Sequence, residues 1–316
     1  MYESEPTMKS RISKVNRGFA FATGTAMFLL SMTAAPNAEN RMDSGVALAA
    51  QADCDRLAGS PNDNQRNRAY GAVDIDNIDA TAVDSCRMAF DATGNPRYAY
   101  QLGRALNHAQ DVDQAIVAYE AAVAADYPAA KVNFGMLMGR LGDADAEFRM
   151  YSEAANSGNV LASYNLGVAY RDGLGTTPDA EKALYWLEKA AAAGDDTAAF
   201  NIAVIYDEGK LVPADDETAI VWYDVAVSRG NVDAMVNLGI MLETGEGIAP
   251  NVQQAAEMYA LAGQHGDIFG ATRYLELQEA GVLAPPSAVA EMDEGMKTLV
   301  LKAGDVETPA SFAKDI

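Results

Sequence analysis

A 36-residue period constrains this chain more than any other feature. Asn165-Leu166-Gly167 returns as Asn201-Ile202-Ala203 and again as Asn237-Leu238-Gly239. Other columns keep the same step: Ala183, Ala219 and Ala255; Ala190, Ala226 and Ala262; Gly194, Gly230 and Gly266; Trp186, Trp222 and then Met258. Self-similarity at this spacing is the mark of a stacked repeat, in which one supersecondary unit buries its apolar face only against the next.

Each unit reads as two helices. Residues 160–172 place Leu161, Tyr164 and Val168 along one side, with Ala162, Leu166, Ala169 and Tyr170 on another, at helical spacing. A loop with Gly173, Gly175 and Pro178 follows, then a second helix over about 179–193. That helix opens on Asp179 or Glu181, where acids suit the positive helix end, and Gly194 closes it in the C′ position. Pro178, Pro213 and Pro250 stand just before the second helices, where a missing N–H costs little. Backwards, Asn133-Phe134-Gly135 and Gln101-Leu102-Gly103 lie 32 and 64 residues before Asn165. The missing residues fall between the helices, at Leu141-Gly142-Asp143 and at Gln110-Asp111. Forwards, Ile268 to Ala280 reads as a sixth first helix with Arg273 in the asparagine column. Its partner, near Ser287 to Ala303, lacks the pattern, as a terminal cap would.

The stretch "ASYNLGVAYRDGLGTTPDAEKALYWLEKAAAAGD" resembles a Sel1-like repeat, as do the two units that follow it. Residues 96–159 resemble shorter, tetratricopeptide-like units. Ala203 for the packing glycine, Met258 for tryptophan, and Glu147 in the Ala183 column depart from the pattern. The resemblance is to the exported bacterial type of Sel1-like protein. It implies an all-α, right-handed α-solenoid of about six helix-turn-helix repeats.

Before the repeats, Lys9, Arg11, Lys14 and Arg17 precede an apolar stretch from Phe19 to Ala35. Small residues then lead to Ala35 or Ala38, so residues 1–38 read as a cleaved signal peptide. The apolar stretch is about 17 residues, short for a membrane span. Residues 39–95 read as an N-terminal cap, with Ala38 to Ala52 loose, Gly59 to Asp76 a loop and Asn77 to Ala92 a helix. Cys54 and Cys86 are the two cysteines. An exported chain meets an oxidising compartment, so they are expected to form a structural disulfide. The repeats then occupy 96–281 and a C-terminal cap and tail 282–316.

The net charge is -22, and removing residues 1–38 leaves -24. Such a chain repels phosphate backbones, which argues against nucleic-acid binding. His108 and His265 each stand at a helix end, where cations are favoured, and no cysteine lies near them. No nucleophile elbow, P-loop or EF-hand spacing is present, and Asp215-Asp216-Glu217 reads as a helix cap. No catalytic residue, metal or cofactor is expected.

What remains is a surface. By analogy with tetratricopeptide repeats, the first helices line a groove. Gln101, Asn133, Asn165, Asn201, Asn237 and Arg273 then form a polar column along it, able to bond an extended peptide. The competing reading is that these amides bond the neighbouring repeat. Arg97, Tyr100, Arg104 and Arg171 would make one end basic, and Asp207, Asp233, Glu243, Glu276 and Glu279 the other acidic.

The expected function is a noncatalytic periplasmic or secreted scaffold for a protein or peptide partner, such as an envelope membrane protein. The resemblance extends to regulators of envelope sensors and exopolysaccharide pathways, by analogy alone. The alternatives are a cell-wall-ligand-binding, β-lactamase-like enzyme and a structural part of polysaccharide export. The enzyme is disfavoured because such relatives carry cysteines in each repeat and this chain has none there.

Overall fold

The computed structural model describes residues 43–283. The expected signal peptide and most of the expected C-terminal cap lie outside them. Among the described residues all regular structure is helical: α1 (Ser44–Ala58), a short 3-10 turn (Ile75–Asn77), α2 (Ala82–Thr93), α3 (Pro96–His108), α4 (Val112–Ala124), α5 (Pro128–Arg140), α6 (Ala144–Asn156), α7 (Val160–Asp172), α8 (Ala180–Ala192), α9 (Asp196–Glu208), α10 (Asp216–Ser228), α11 (Val232–Thr244), α12 (Val252–Gln264) and α13 (Ile268–Glu279). The chain forms two compact units. The first ends at Ala162 and includes Leu174–Thr176; the second holds Ser163–Gly173 and the chain from Thr177 on. In each, helices pack in sequential pairs, as in an α-solenoid of helix-turn-helix repeats: α3 with α4 and α5 with α6 in the first, α9 with α10 and α11 with α12 in the second.

Local chemistry sets the helix ends. Asp179 and Asp215 cap α8 and α10, accepting from the N–H groups of Lys182 (3.1 Å) and Thr218 (3.0 Å). Gly194, Gly230 and Gly266 follow the second helices with φ of 100°, 92° and 93°, a left-handed turn that glycine adopts without strain.

Packing explains the small-residue columns. Ala183, Ala219, Ala255, Ala190, Ala226 and Ala262 are all fully buried. Within the first hairpin, a Cβ on Gly103 would lie 2.6 Å from the Tyr119 ring. At Gly239 it would lie 2.7 Å from Tyr259. Where Glu147 departs from the alanine column, Gly139 opposite it makes the room: a Cβ there would meet the Glu147 carboxylate at 2.3 Å.

The cap differs in part from expectation. The segment expected to be loose over Ala38–Ala52 is helical from Ser44. Alanine-rich sequence favours helix, Asp43 caps it, and Ala50, Cys54 and Ala58 are buried along one face. The loop from Gly59 is as expected, and the second cap helix begins later, at Ala82. Cys54 and Cys86 form a disulfide between α1 and α2, with both residues fully buried. The cap is also joined to the repeats. Arg104 on α3 donates to the carbonyls of Ala58 (2.6 Å) and Val73 (2.7 Å). Asp63 of the loop accepts from the Tyr127 hydroxyl at 2.7 Å.

Three outcomes follow. The C54S/C86S protein should lose roughly 3–4 kcal/mol, the entropy released by opening a loop of this length, read as a lower midpoint in urea. Gly103→Ala should cost about 1–3 kcal/mol, because Tyr119 is fully buried and cannot swing away. Burial raises the Asp63 pKa above its ordinary 3.8. The stability this group contributes is therefore present at low pH and lost as pH rises through the raised folded value. Asp63→Asn should accordingly flatten the pH dependence of the melting temperature above about pH 4.

Candidate functional site

The N-terminal residues of the expected groove are already occupied. Tyr100 and Gln101 are fully buried and Arg104 is 2% exposed. Arg97 donates to Asp55 at 3.0 Å and Gln101 donates to the same carboxylate at 3.2 Å; Asn67 adds a third bond at 2.8 Å. Burial pushes the Tyr100 phenol up to about 12. The physical reason is the cap: α1 and its loop lie on this face of α3, so the basic end of the groove holds the chain's own backbone and Asp55. Asn133, on α5, is half-buried next to the buried Tyr119.

In the second unit the column makes rungs between successive hairpins. Arg171, near the end of α7, donates to Oδ1 of Asn201 on α9. Thirty-six residues on, Asp207 of α9 accepts from the Tyr223 hydroxyl at 2.8 Å, and that hydroxyl accepts from Asn237 on α11 at 3.0 Å. One repeat further, Glu243 of α11 accepts from the Tyr259 hydroxyl at 2.9 Å and is paired with the Arg273 guanidinium of α13. Each rung joins a residue to the one thirty positions later, on the next first helix.

The rungs differ in charge. The Arg273 guanidinium holds Glu243 below its ordinary carboxylate range, ahead of the opposing effect of burial. Asp207 has a phenol but no cation, so burial pushes it up. Where Arg171 stands in the carboxylate column, Leu187 stands in the tyrosine column. Asn201 is 8% exposed and also donates to the Thr197 carbonyl at 2.9 Å. Asn201 and Asn237 thus follow the competing reading: they bond the adjacent hairpin, through side chains rather than backbone. Asn165, Arg171, Asn237 and Arg273 are half-buried and keep an edge towards solvent.

Asp55, Asp63, Tyr223 and Tyr259 were not singled out from sequence. The tyrosines carried a signal, since each follows a carboxylate by sixteen residues, Asp207 and Glu243. The two cap aspartates lie outside the repeats and carried none. His108 is exposed at the end of α3, and His265 is the exposed C-cap of α12. Among the described residues no three His, Cys, Asp or Glu side chains converge to hold a metal ion. The arrangement offers bonding edges along a row of helices.

Comparison with known proteins agrees with this geometry. The Sel1 repeat family matches residues 160–195, 197–231 and 232–267. A protective antigen of uropathogenic Escherichia coli with an SLR fold is 24% identical, with a TM-score of 0.61 over 72% of this chain; the match spans 50% of that antigen's length. A Sel1 repeat protein from Oxalobacter formigenes is 24% identical, with a TM-score of 0.58, over 71% of this chain and 96% of its own. No curated protein matches the chain. With its three matched units stacked as helical hairpins, the stretch 160–267 of the chain is built of Sel1 repeats.

Proposed function

We propose that this chain is a noncatalytic scaffold that binds a protein partner in the bacterial periplasm, using the first helices of its second unit. The observation that carries this reading is the set of part-exposed polar residues on first helices of this unit: Asn165 and Arg171 on α7, Asn237 on α11 and Arg273 on α13. Sel1 repeats usually bind proteins, and rungs between successive first helices, thirty residues apart, hold these helices in the order in which an extended segment would meet them. The buried Cys54–Cys86 disulfide supports a compartment outside the cytoplasm, because such bonds persist where thiols are not kept reduced. No helix among the described residues is long and apolar enough to cross a membrane. The finer reading is a regulator acting on an envelope sensor or an exopolysaccharide pathway, with a membrane protein as the partner.

The face differs from the sequence expectation at one end. Arg97, Tyr100, Gln101 and Arg104 serve the cap, so the proposed contact begins at Asn165. Polarity along it runs from Arg171 through Asp207 to the Glu243–Arg273–Glu276 cluster, in which Arg273 also pairs with Glu276 at 2.6 Å.

The test is affinity capture from a detergent-solubilised envelope with the tagged chain from residue 39, compared with an R171E/E276K variant. One membrane protein held by the wild type should fall at least about tenfold with the variant, as loss of a central contact does, while the melting curve is retained. Identical captures for both baits would overturn the contact face. Turnover of a chromogenic β-lactam by the purified chain would overturn the noncatalytic reading.

A further inference from the structure

The second unit has an apolar groove that shares no residue with the rungs. It lies between α10 and α12, over α11 and the loop that follows, with a volume of about 410 Å³. Val221, Leu242, Ile248 and Met258 line it, with Asp224 and Glu257 among them. Val221 is 61% and Ile248 37% exposed, and both carboxylates are exposed. A groove of this size takes one or two large side chains.

The groove lies where the chain departs from its own repeat. One repeat upstream, the positions of Val221, Leu242 and Met258 are held by Tyr185, Tyr206 and Trp222. The position of Val225, which also lines the groove, is held by Lys189. The Lys189 ammonium lies 4.6 Å from the Trp186 ring centroid and 4.8 Å from that of Tyr185. Upstream, then, the chain supplies its own aromatic rings and a cation to stack on them. At the positions that line the groove of α10–α12 it supplies neither. Loss of the lysine also leaves the charge one-sided. Between Ala214 and Gln264 the acidic residues are Asp215, Asp216, Glu217, Asp224, Asp233, Glu243, Glu246 and Glu257, against Arg229 alone. Arg229 is turned to the carbonyl of Asp195, at 3.2 Å.

We propose that this groove docks a partner segment presenting a large apolar side chain, aromatic by preference, beside a lysine or arginine. The apolar group fills the space vacated by the three aromatic positions. The cation meets Asp224 and Glu257, which have the complementary charge and lie at the mouth. This deepens the scaffold reading, on which it rests, but it uses a separate face.

The experiment uses the full chain and fluorescein-labelled synthetic peptides in a Gly/Ser background, read by anisotropy. One peptide has a Lys-Trp-Leu-Lys centre; the controls have Glu-Trp-Leu-Glu and Lys-Gly-Gly-Lys. The first should bind at least about tenfold more tightly than either control. V221Y/M258W, which restores the upstream residues, should abolish that binding. D224K/E257K, at two exposed positions, should weaken it about tenfold and decides the matter if the filled variant does not fold. N237A/R273A, on the rungs, should leave it unchanged. Absence of binding, equal binding of all three peptides, or binding that survives both groove variants would overturn the proposal. So would binding that emerges only after deletion of residues 284–316, since the occupant would then come from the chain's own C-terminal segment. Peptide binding that persists when rung variants leave envelope capture unchanged would sink the contact face proposed above and spare this one; the converse would sink only this one.

Discussion

The structure depends on the close approach of the two helices in each hairpin. That approach needs a missing or minimal side chain where they touch, supplied by Gly103, Gly135, Gly167 and Gly239, and by Ala203 in the fourth position. The bulky residue opposite, a tyrosine at 119, 151 and 259, with Tyr223 in the same column, then packs against the first helix. In the second unit this has a chemical result. Ala203 and Gly239 are four residues before Asp207 and Glu243, so each carboxylate stands one helical turn along the same face. The tyrosine whose ring covers the small residue therefore brings its hydroxyl to the carboxylate. Van der Waals packing at one position sets hydrogen bonding at the next, and the rungs to Asn237 and Arg273 are built on that hydroxyl or its carboxylate.

The two units close the same helical face by different means. In the first, a non-repeating segment does so: Arg104 bonds two carbonyls of the cap, Asp55 gathers Arg97, Gln101 and Asn67, and the disulfide joins the two cap helices. A guanidinium this deeply buried needs such fixed acceptors, because an unbonded buried charge is strongly unfavourable. In the second, repeating side chains bond one another and leave an edge in water.

This contrast explains what was legible in the sequence. Wherever a period operated, the reading came close: residues 160–172 for α7, 179–193 for Ala180–Ala192, and Ile268–Ala280 for Ile268–Glu279. Periodicity reports which residues face a neighbour of the same kind. It does not report a neighbour that occurs once. Arg104 and Tyr100 were read as groove positions beside the column, yet their partners, Ala58, Val73 and the loop around Asp63, lie outside the repeats and share no register with them. The rung at Asn237 was legible in kind, since bonding between repeats was one of two readings. Its partner was not, because the link runs through Tyr223, which the pattern marks as core. The groove at Met258 showed as a broken column, but only the structure puts Val221, Leu242 and Met258 side by side.

The thirty-residue rung also bears on how such an array can change length. Every rung joins one hairpin to the next, so losing or duplicating a hairpin in a recombination exchanges partners without stranding them. Excising α11 and α12 would set Asp207 against Arg273, turning an amide rung into an ion pair. Excising α9 and α10 would set Arg171 against Asn237, the same pairing that it makes now with Asn201. Copying the α11–α12 hairpin would set Glu243 against an asparagine. In none of these products do two like charges meet across a rung. The chemistry that ties the hairpins together is therefore permissive of insertion and deletion in whole modules, while a residue gained or lost inside a first helix would turn that helix's rung residue off the shared face.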